Sequence, residues 1–139
     1  MKMNPYLLFK GNCREAFEFY EKVLGGKIDA LMTFGDAPGM EEYTPPGFKE
    51  KVMHASMSFD GGILMASDCA PEQFEAMQGM SVSLHPETVE EAEQLFKALS
   101  EGATKITMDL QETFWAKRYG MFVDRFGTPW MINCNKEMM

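Results

Sequence analysis

A chain of 139 residues, 45% of them apolar, has the size and composition of one ordinary folded domain, which excludes a disordered polymer and a miniature fold that needs staples. Its net charge of −8 is spread along the whole length, repels a phosphate backbone and excludes nucleic acid as an expected partner. Apolar runs such as Ile63 to Ala66 are too short to cross a bilayer, no basic amphipathic helix suits a membrane surface, and Met1 to Pro5 lack a signal-peptide pattern, so a cytoplasmic protein is expected.

In chain order, Pro5 to Lys10 reads as the first strand. Asn12 is placed to cap a helix with Glu15 three residues on, and Ala16, Phe19, Tyr20, Val23 and Leu24 fall on one stripe at helical spacing. Gly26 stands where a left-handed residue would end that helix. Strands are expected over Lys27 to Phe34, Val52 to Phe59 and Ile63 to Ser67, the last two joined by the tight turn Asp60-Gly61-Gly62. The intervening loop, Gly35 to Glu50, is rich in Pro and Gly and reads equally as a lid or as a solvated excursion. Ala70 to Gly79 joins the halves and is expected to hold a short helix over Glu72 to Met77.

The second half begins with a strand over Met80 to Leu84. Thr88 and Glu91 form a capping box before a helix with the stripe Ala92, Leu95, Phe96 and Leu99, and Gly102 follows it. Strands over Lys105 to Leu110, Arg118 to Val123 and Pro129 to Cys134 complete the pattern, with a turn at Asp124-Arg125-Phe126-Gly127. Residues 12, 15, 16, 20 and 26 of the first helix region recur 76 positions on, as 88, 91, 92, 96 and 102. One α+β domain over 1–139 is therefore expected, made of two βαβββ modules at about 4–69 and 80–135 with a linker at 70–79. Two such modules pair into a curved eight-stranded mixed sheet with helices outside and a ligand cavity inside.

Cys13, Cys69 and Cys134 are odd in number and far apart, without a CxxC or zinc spacing, and read as reduced thiols. The 14 methionines are unusual, since flexible, polarisable Met suits surfaces that must fit an irregular ligand.

Gly11 to Ala16 followed by Phe19-Tyr20-Glu21-Lys22-Val23-Leu24-Gly25-Gly26 resembles the opening of vicinal oxygen chelate proteins, the superfamily of glyoxalases, bleomycin-resistance proteins and extradiol dioxygenases. Met65 to Asp68, Gln111 to Trp115 and Asp124 to Asn133 resemble its PhnB-like branch, whose members often carry the label demethylubiquinone methyltransferase-like. The resemblance covers nearly the whole chain and implies a glyoxalase/bleomycin-resistance-like fold and a homodimer. Methyl transfer is not expected, because the chain has no GxGxxG turn and no room for a doubly wound cofactor domain.

Metal-dependent members of that superfamily place one ligand on each of four strands, two per half. Counting along the matched segments puts those positions at Pro5, Met65, Met80 and Met131, to within a residue. None is a good ligand for a hard or borderline divalent ion, and a lone thioether favours soft Cu(I), so no metal and no cofactor is expected. His54, in a strand, is a pocket residue or a satisfied strand histidine; His85, beside Pro86, reads as a surface residue.

Other residues offer polar contacts. Asp68 could accept a hydrogen bond from a ligand, act as a base, or cap residues 70–77. Gln111 and Glu112 could orient a polar group beside a stacking wall at Trp115, with Phe114 in the same pocket or in a subunit interface. Arg118 could grip a carboxylate or phosphonate, or stand as an exposed strand charge. Trp130 is expected beneath a helix, on the face opposite Met131.

These features suit a metal-independent small-molecule binding protein with a Met- and aromatic-lined cavity, used for sequestration or resistance. His54, Met65, Asp68, Met80, Gln111, Glu112, Trp115, Arg118 and Met131 are its candidate ligand contacts. The competing readings are a lyase, isomerase or dioxygenase that needs a divalent metal, and a metal-free enzyme using His54, Asp68 or Glu112 as acid or base.

Overall fold

A computed structural model describes residues 1–136 and falls into two compact units, Met1–Glu75 and Ala76–Met139. The first unit runs β1 (Tyr6–Phe9), α1 (Cys13–Leu24), β2 (Lys27–Thr33), β3 (Val52–Phe59) and β4 (Gly62–Asp68). The second runs β5 (Val82–Leu84), α2 (Val89–Leu99), β6 (Lys105–Gln111), β7 (Ala116–Val123) and β8 (Pro129–Asn135). Both are βαβββ, as the helix repeat implies. The sheets share one topology, β1-β4-β3-β2 and β5-β8-β7-β6, in which the first strand pairs parallel with the fourth and the other neighbours are antiparallel. The eight strands thus form two four-stranded mixed sheets, one per unit.

The linker differs from expectation. The helix expected over Glu72 to Met77 is one 3-10 turn at Pro71–Gln73, after which Phe74 is already extended. A single turn fixes several dihedrals for few hydrogen bonds, and no apolar stripe rewards its growth.

The two helices start by different means. Thr88 caps α2 as its sequence indicates, its Oγ1 accepting from the Glu91 amide at 3.1 Å while Glu91 Oε1 accepts from the Glu87 amide at 3.2 Å. Asn12 makes no side-chain cap bond to α1. Asp68 does that work from the end of β4: Oδ1 accepts from the amides of Gly11 (2.9 Å) and Cys13 (3.0 Å), and Oδ2 from that of Val52 (2.9 Å). α1 ends on Gly25, whose φ of 73° is left-handed, instead of on Gly26. Gly26 is required for space, since a Cβ there would stand 2.5 Å from the Phe59 ring. In α2, Ser100 ends the helix and Gly102 turns left-handed two residues later.

Strand alternation separates a helix-covered face from a free one. In the first unit Leu7, Phe9, Ala55, Met57 and Leu64 are buried, and α1 closes over β2, β3 and β4 with Cys13, Ala16, Phe17 and Tyr20. In the second, Phe96 of α2 meets Phe122 edge-on at 5.1 Å, and Trp130 and Ile132 are buried beside Phe122. Trp130 is therefore on the helix face, as expected, with its Nε1 donating to buried Asp124 at 2.8 Å. Asp124 Oδ1 also accepts from the amides of Phe126 and Thr128, both at 2.9 Å, which closes the β7–β8 turn. Among the described residues, no helix is long and apolar enough to cross a membrane.

Removing a buried carboxylate that serves three amides leaves three unpaired donors. Asp68→Ala is expected to cost at least about 3 kcal/mol, measured as a loss of unfolding free energy in urea. An unchanged midpoint would show that water replaces the carboxylate without cost. The thiols give a second check. Burial pushes the Cys13 thiol well up, with the Asp68 charge adding to it, and Cys69 is raised for the same two reasons in the same order. A raised pKa means less thiolate at a given pH. At pH 8 a thiol reagent is expected to reach Cys69 slowly, faster as pH rises, and to reach buried Cys13 and Cys134 only on unfolding.

Candidate functional site

The free face of the first unit carries the residues that alternate with the core. Met65 of β4 lies in register with Tyr6 of β1 and Ser56 of β3, and His54 of β3 with Met32 of β2. Tyr6 and Leu8 are each 45% exposed and Met32 is 42% exposed, high values for large apolar side chains. β4 lies between β1 and β3, so Tyr6 and His54 come from strands about 10 Å apart. Their rings nevertheless meet above the intervening strand, with centroids 5.7 Å apart, a 27° interplanar angle, and the Tyr6 hydroxyl 3.1 Å from His54 Nδ1. His54 is thus a free-face residue with a hydrogen-bond partner.

The second unit repeats the arrangement. Met131 of β8 lies in register with Ser83 of β5 and Met121 of β7. Tyr119, in register with Asn133, donates to Met121 Sδ at 3.5 Å, and Trp115 meets Tyr119 edge-on at 5.1 Å. Phe114 stacks edge-on against Trp115 at 4.9 Å and is 89% exposed. Asn133 donates from Nδ2 to Asn135 while its Oδ1 is shielded without a partner, an acceptor the sequence did not single out.

Two of the four counted positions, Pro5 and Met80, lie just before their strands. The residue of β1 in register with Met65 is Tyr6, not Pro5, whose carbonyl accepts from the Met65 amide at 3.1 Å. The residue of β5 in register with Met131 is Ser83; Met80 precedes the strand and is 56% exposed. Each free face thus pairs a hydroxyl with a thioether, Tyr6 with Met65 in the first unit and Ser83 with Met131 in the second. Both hydroxyls are bonded to histidines, Ser83 Oγ lying 2.9 Å from His85 Nε2. Neither pair offers a good ligand for a hard or borderline divalent ion. Among the described residues no group of three or more His, Cys, Asp or Glu is placed to hold one.

Four other candidates are engaged elsewhere. Asp68 lies on the helix side, 3% exposed, with both oxygens on backbone amides, and it does not cap residues 70–77. Arg118 shares the helix face with Phe122 and pairs with Glu93 of α2 at 3.5 Å, its Nη1 donating to the Lys117 carbonyl. Glu112 is paired with Lys136 at 3.2 Å, and exposed Gln111 donates to the Asp109 carbonyl.

The first unit also holds a polar cleft of about 650 Å³ where α1 begins, lined by Arg14, Glu15, Asp36, Lys49, Glu50 and Lys51 among others. Lys51 Nζ donates to the Gly11 carbonyl at 2.9 Å. The 35–50 loop that borders it is anchored by buried Ala37 and Phe48, the latter edge-on to Phe34 at 6.0 Å.

Comparison with known proteins places these features in a family. Protein YjdN of Escherichia coli K12 is 35% identical over 99% of this chain and 97% of its own length. The crystal structure of PA1353 from Pseudomonas aeruginosa is 46% identical, with a TM-score of 0.89 over 99% of both chains. A PhnB protein from Bacillus cereus, titled a putative 3-demethylubiquinone-9 3-methyltransferase, is 26% identical, with a TM-score of 0.79 over 96% of this chain and 99% of its own. The Listeria monocytogenes fosfomycin resistance protein FosX shares the fold alone, at 8% identity and a TM-score of 0.67 over 99% of this chain and 95% of its own. The profile of the family described as 3-demethylubiquinone-9 3-methyltransferase matches residues 1–133, so the chain belongs to that PhnB-like family.

Proposed function

We propose that this chain binds a small organic molecule with an apolar body on the free face of its first unit, without a metal ion. One observation carries the reading: Leu8, Met32 and Met65 gather around the bonded pair Tyr6–His54, with the small hydroxyls of Ser56 and Ser67 beside them, on the face opposite α1. Half-exposed apolar side chains around few polar groups suit a ligand with an apolar body, and thioethers adapt to its shape. Sequestering such a molecule requires no further chemistry. Methyl transfer is left out of the reading, since the sequence lacks a nucleotide-type GxGxxG turn.

The Tyr6–His54 pair also favours a second reading, a metal-free enzyme in which His54 is acid or base, because a ring nitrogen and a phenol 3.1 Å apart can pass a proton. Asp68 and Glu112 are weaker candidates for that role, being held by backbone amides and by Lys136 respectively.

Anilinonaphthalene sulfonate serves as a fluorescent probe of the face. It is expected to bind saturably, with an affinity that EDTA leaves unchanged and that Met65→Glu lowers at least about tenfold by burying a carboxylate. Loss of binding with EDTA, or stoichiometric metal in protein purified without added metal, would defeat the reading. Association of two copies belongs to the same proposal. Sedimentation at micromolar concentration is expected to give twice the chain mass of 15.8 kDa, and a single-chain mass throughout would remove it.

A further inference from the structure

The chain has two histidines, and the structure holds them by opposite nitrogens: His54 through Nδ1 to the Tyr6 hydroxyl, His85 through Nε2 to Ser83 Oγ. For a neutral imidazole this choice decides which nitrogen is the donor and which the acceptor. A phenol O–H is a stronger donor than an imidazole N–H, and an unprotonated ring nitrogen is a stronger acceptor than a phenol oxygen. The bond at His54 therefore runs from Tyr6 to Nδ1, and the ring proton sits on Nε2.

His54 Nε2 has no hydrogen-bond partner among the described residues, and it is absent from the shielded, unpaired side-chain atoms there. On that face Met32 and Met65 hold no strong donor or acceptor, while Ser56 and Ser67 add hydroxyls that can donate or accept, so His54 Nε2 supplies the ring N–H there. A molecule lying among thioethers and the Tyr6 ring would find at Nε2 a directional N–H with nothing else to bond.

The geometry points to Tyr6 as a positioning residue that fixes the His54 tautomer, so that the face presents one N–H donor amid apolar surface. The matching ligand class is an apolar body that carries a hydrogen-bond acceptor oxygen, such as a carbonyl. This inference rests on the free face being the ligand site and adds the polarity the ligand must have there. Tyr6 does not touch the reacting or recognised oxygen; it acts through the histidine ring.

Two measurements separate the inference from the reading beneath it. Nitrogen-15 spectra of the imidazole rings, at a pH where both are neutral, report the tautomer in the free protein, with His85→Gln assigning the signals. His54 is expected almost wholly protonated at Nε2, and Tyr6→Phe, which keeps the ring and removes the hydroxyl, is expected to raise the Nδ1-protonated fraction. A dominant Nδ1 proton in the native protein, or no change in Tyr6→Phe, would overturn the role of Tyr6.

Acetophenone and ethylbenzene then serve as probes of nearly equal shape that differ in the carbonyl. Native protein is expected to prefer acetophenone by roughly threefold to tenfold, the worth of one net hydrogen bond, and His54→Phe is expected to lose the preference. Equal binding of both probes overturns the ligand class while the binding site stands. Binding of neither overturns the site itself, and the nitrogen spectra still decide the role of Tyr6.

Discussion

The arrangement of the candidate site depends on one buried carboxylate. Asp68 closes β4, the strand between β1 and β3, and its two oxygens take the amides of Gly11 and Cys13 on one side and of Val52 on the other. The first two amides lie just beyond β1 and the third begins β3. One side chain therefore ties both flanking strands to the strand between them and starts α1 as well. Tyr6 and His54 belong to those flanking strands, and their 3.1 Å contact requires β1 and β3 to keep their places on either side of β4. A charged acceptor with three backbone donors is a strong restraint, because its loss would strand all three amides in a dry place.

Given that restraint, the two-residue period of the strands divides the labour. On β3 the buried Ala55 and Met57 alternate with His54 and Ser56; on β4, buried Leu64 and Ala66 alternate with Met65. A slip of one residue would turn His54 and Met65 toward α1 and expose the core, so hydrophobic burial fixes the chemistry of the free face as firmly as it fixes the fold. The second unit obeys the same rule with different side chains. Its register pair Ser83–Met131 matches Tyr6–Met65, hydroxyl for hydroxyl and thioether for thioether.

Much of this could be read in the sequence. Alternation and turn residues located all eight strands, β3 to the residue, and the 76-residue recurrence announced two like units whose topologies do agree. The features it missed were set by partners remote in sequence. Asn12 has a cap's identity and position, but Asp68, 55 residues from Cys13, supplies the bond. Arg118 gives no local sign that α2 will bring Glu93 to it. Counting without gaps led to Pro5 and Met80, which lie just before β1 and β5, whereas the residues in register with Met65 and Met131 are Tyr6 and Ser83. For Tyr6 a signal existed, since Leu7 and Phe9 fit the core and leave Tyr6 and Leu8 on the other parity. The pairing of Tyr6 with His54 across β4 lay beyond reach, because it needs the strand order.

The character of the free face narrows what chemistry it could support. A Lewis-acid site needs anionic or imidazole donors converging on one point, and the first unit sets the Tyr6 phenol beside the Met65 thioether instead. Those groups can lie against an apolar body, and the phenol orients His54, but thioethers cannot stabilise a negative charge developing in a bound molecule. Any reaction on this face would have to move a proton through His54, whose Nε2 is the ring nitrogen left open by the Tyr6 bond. Recognition and proton transfer would then use the same atom. An acceptor oxygen seated at Nε2 would be bound by the very proton that a reaction would deliver to it. Binding protein and metal-free enzyme therefore differ in whether that proton stays on the imidazole, and the two readings share one geometry.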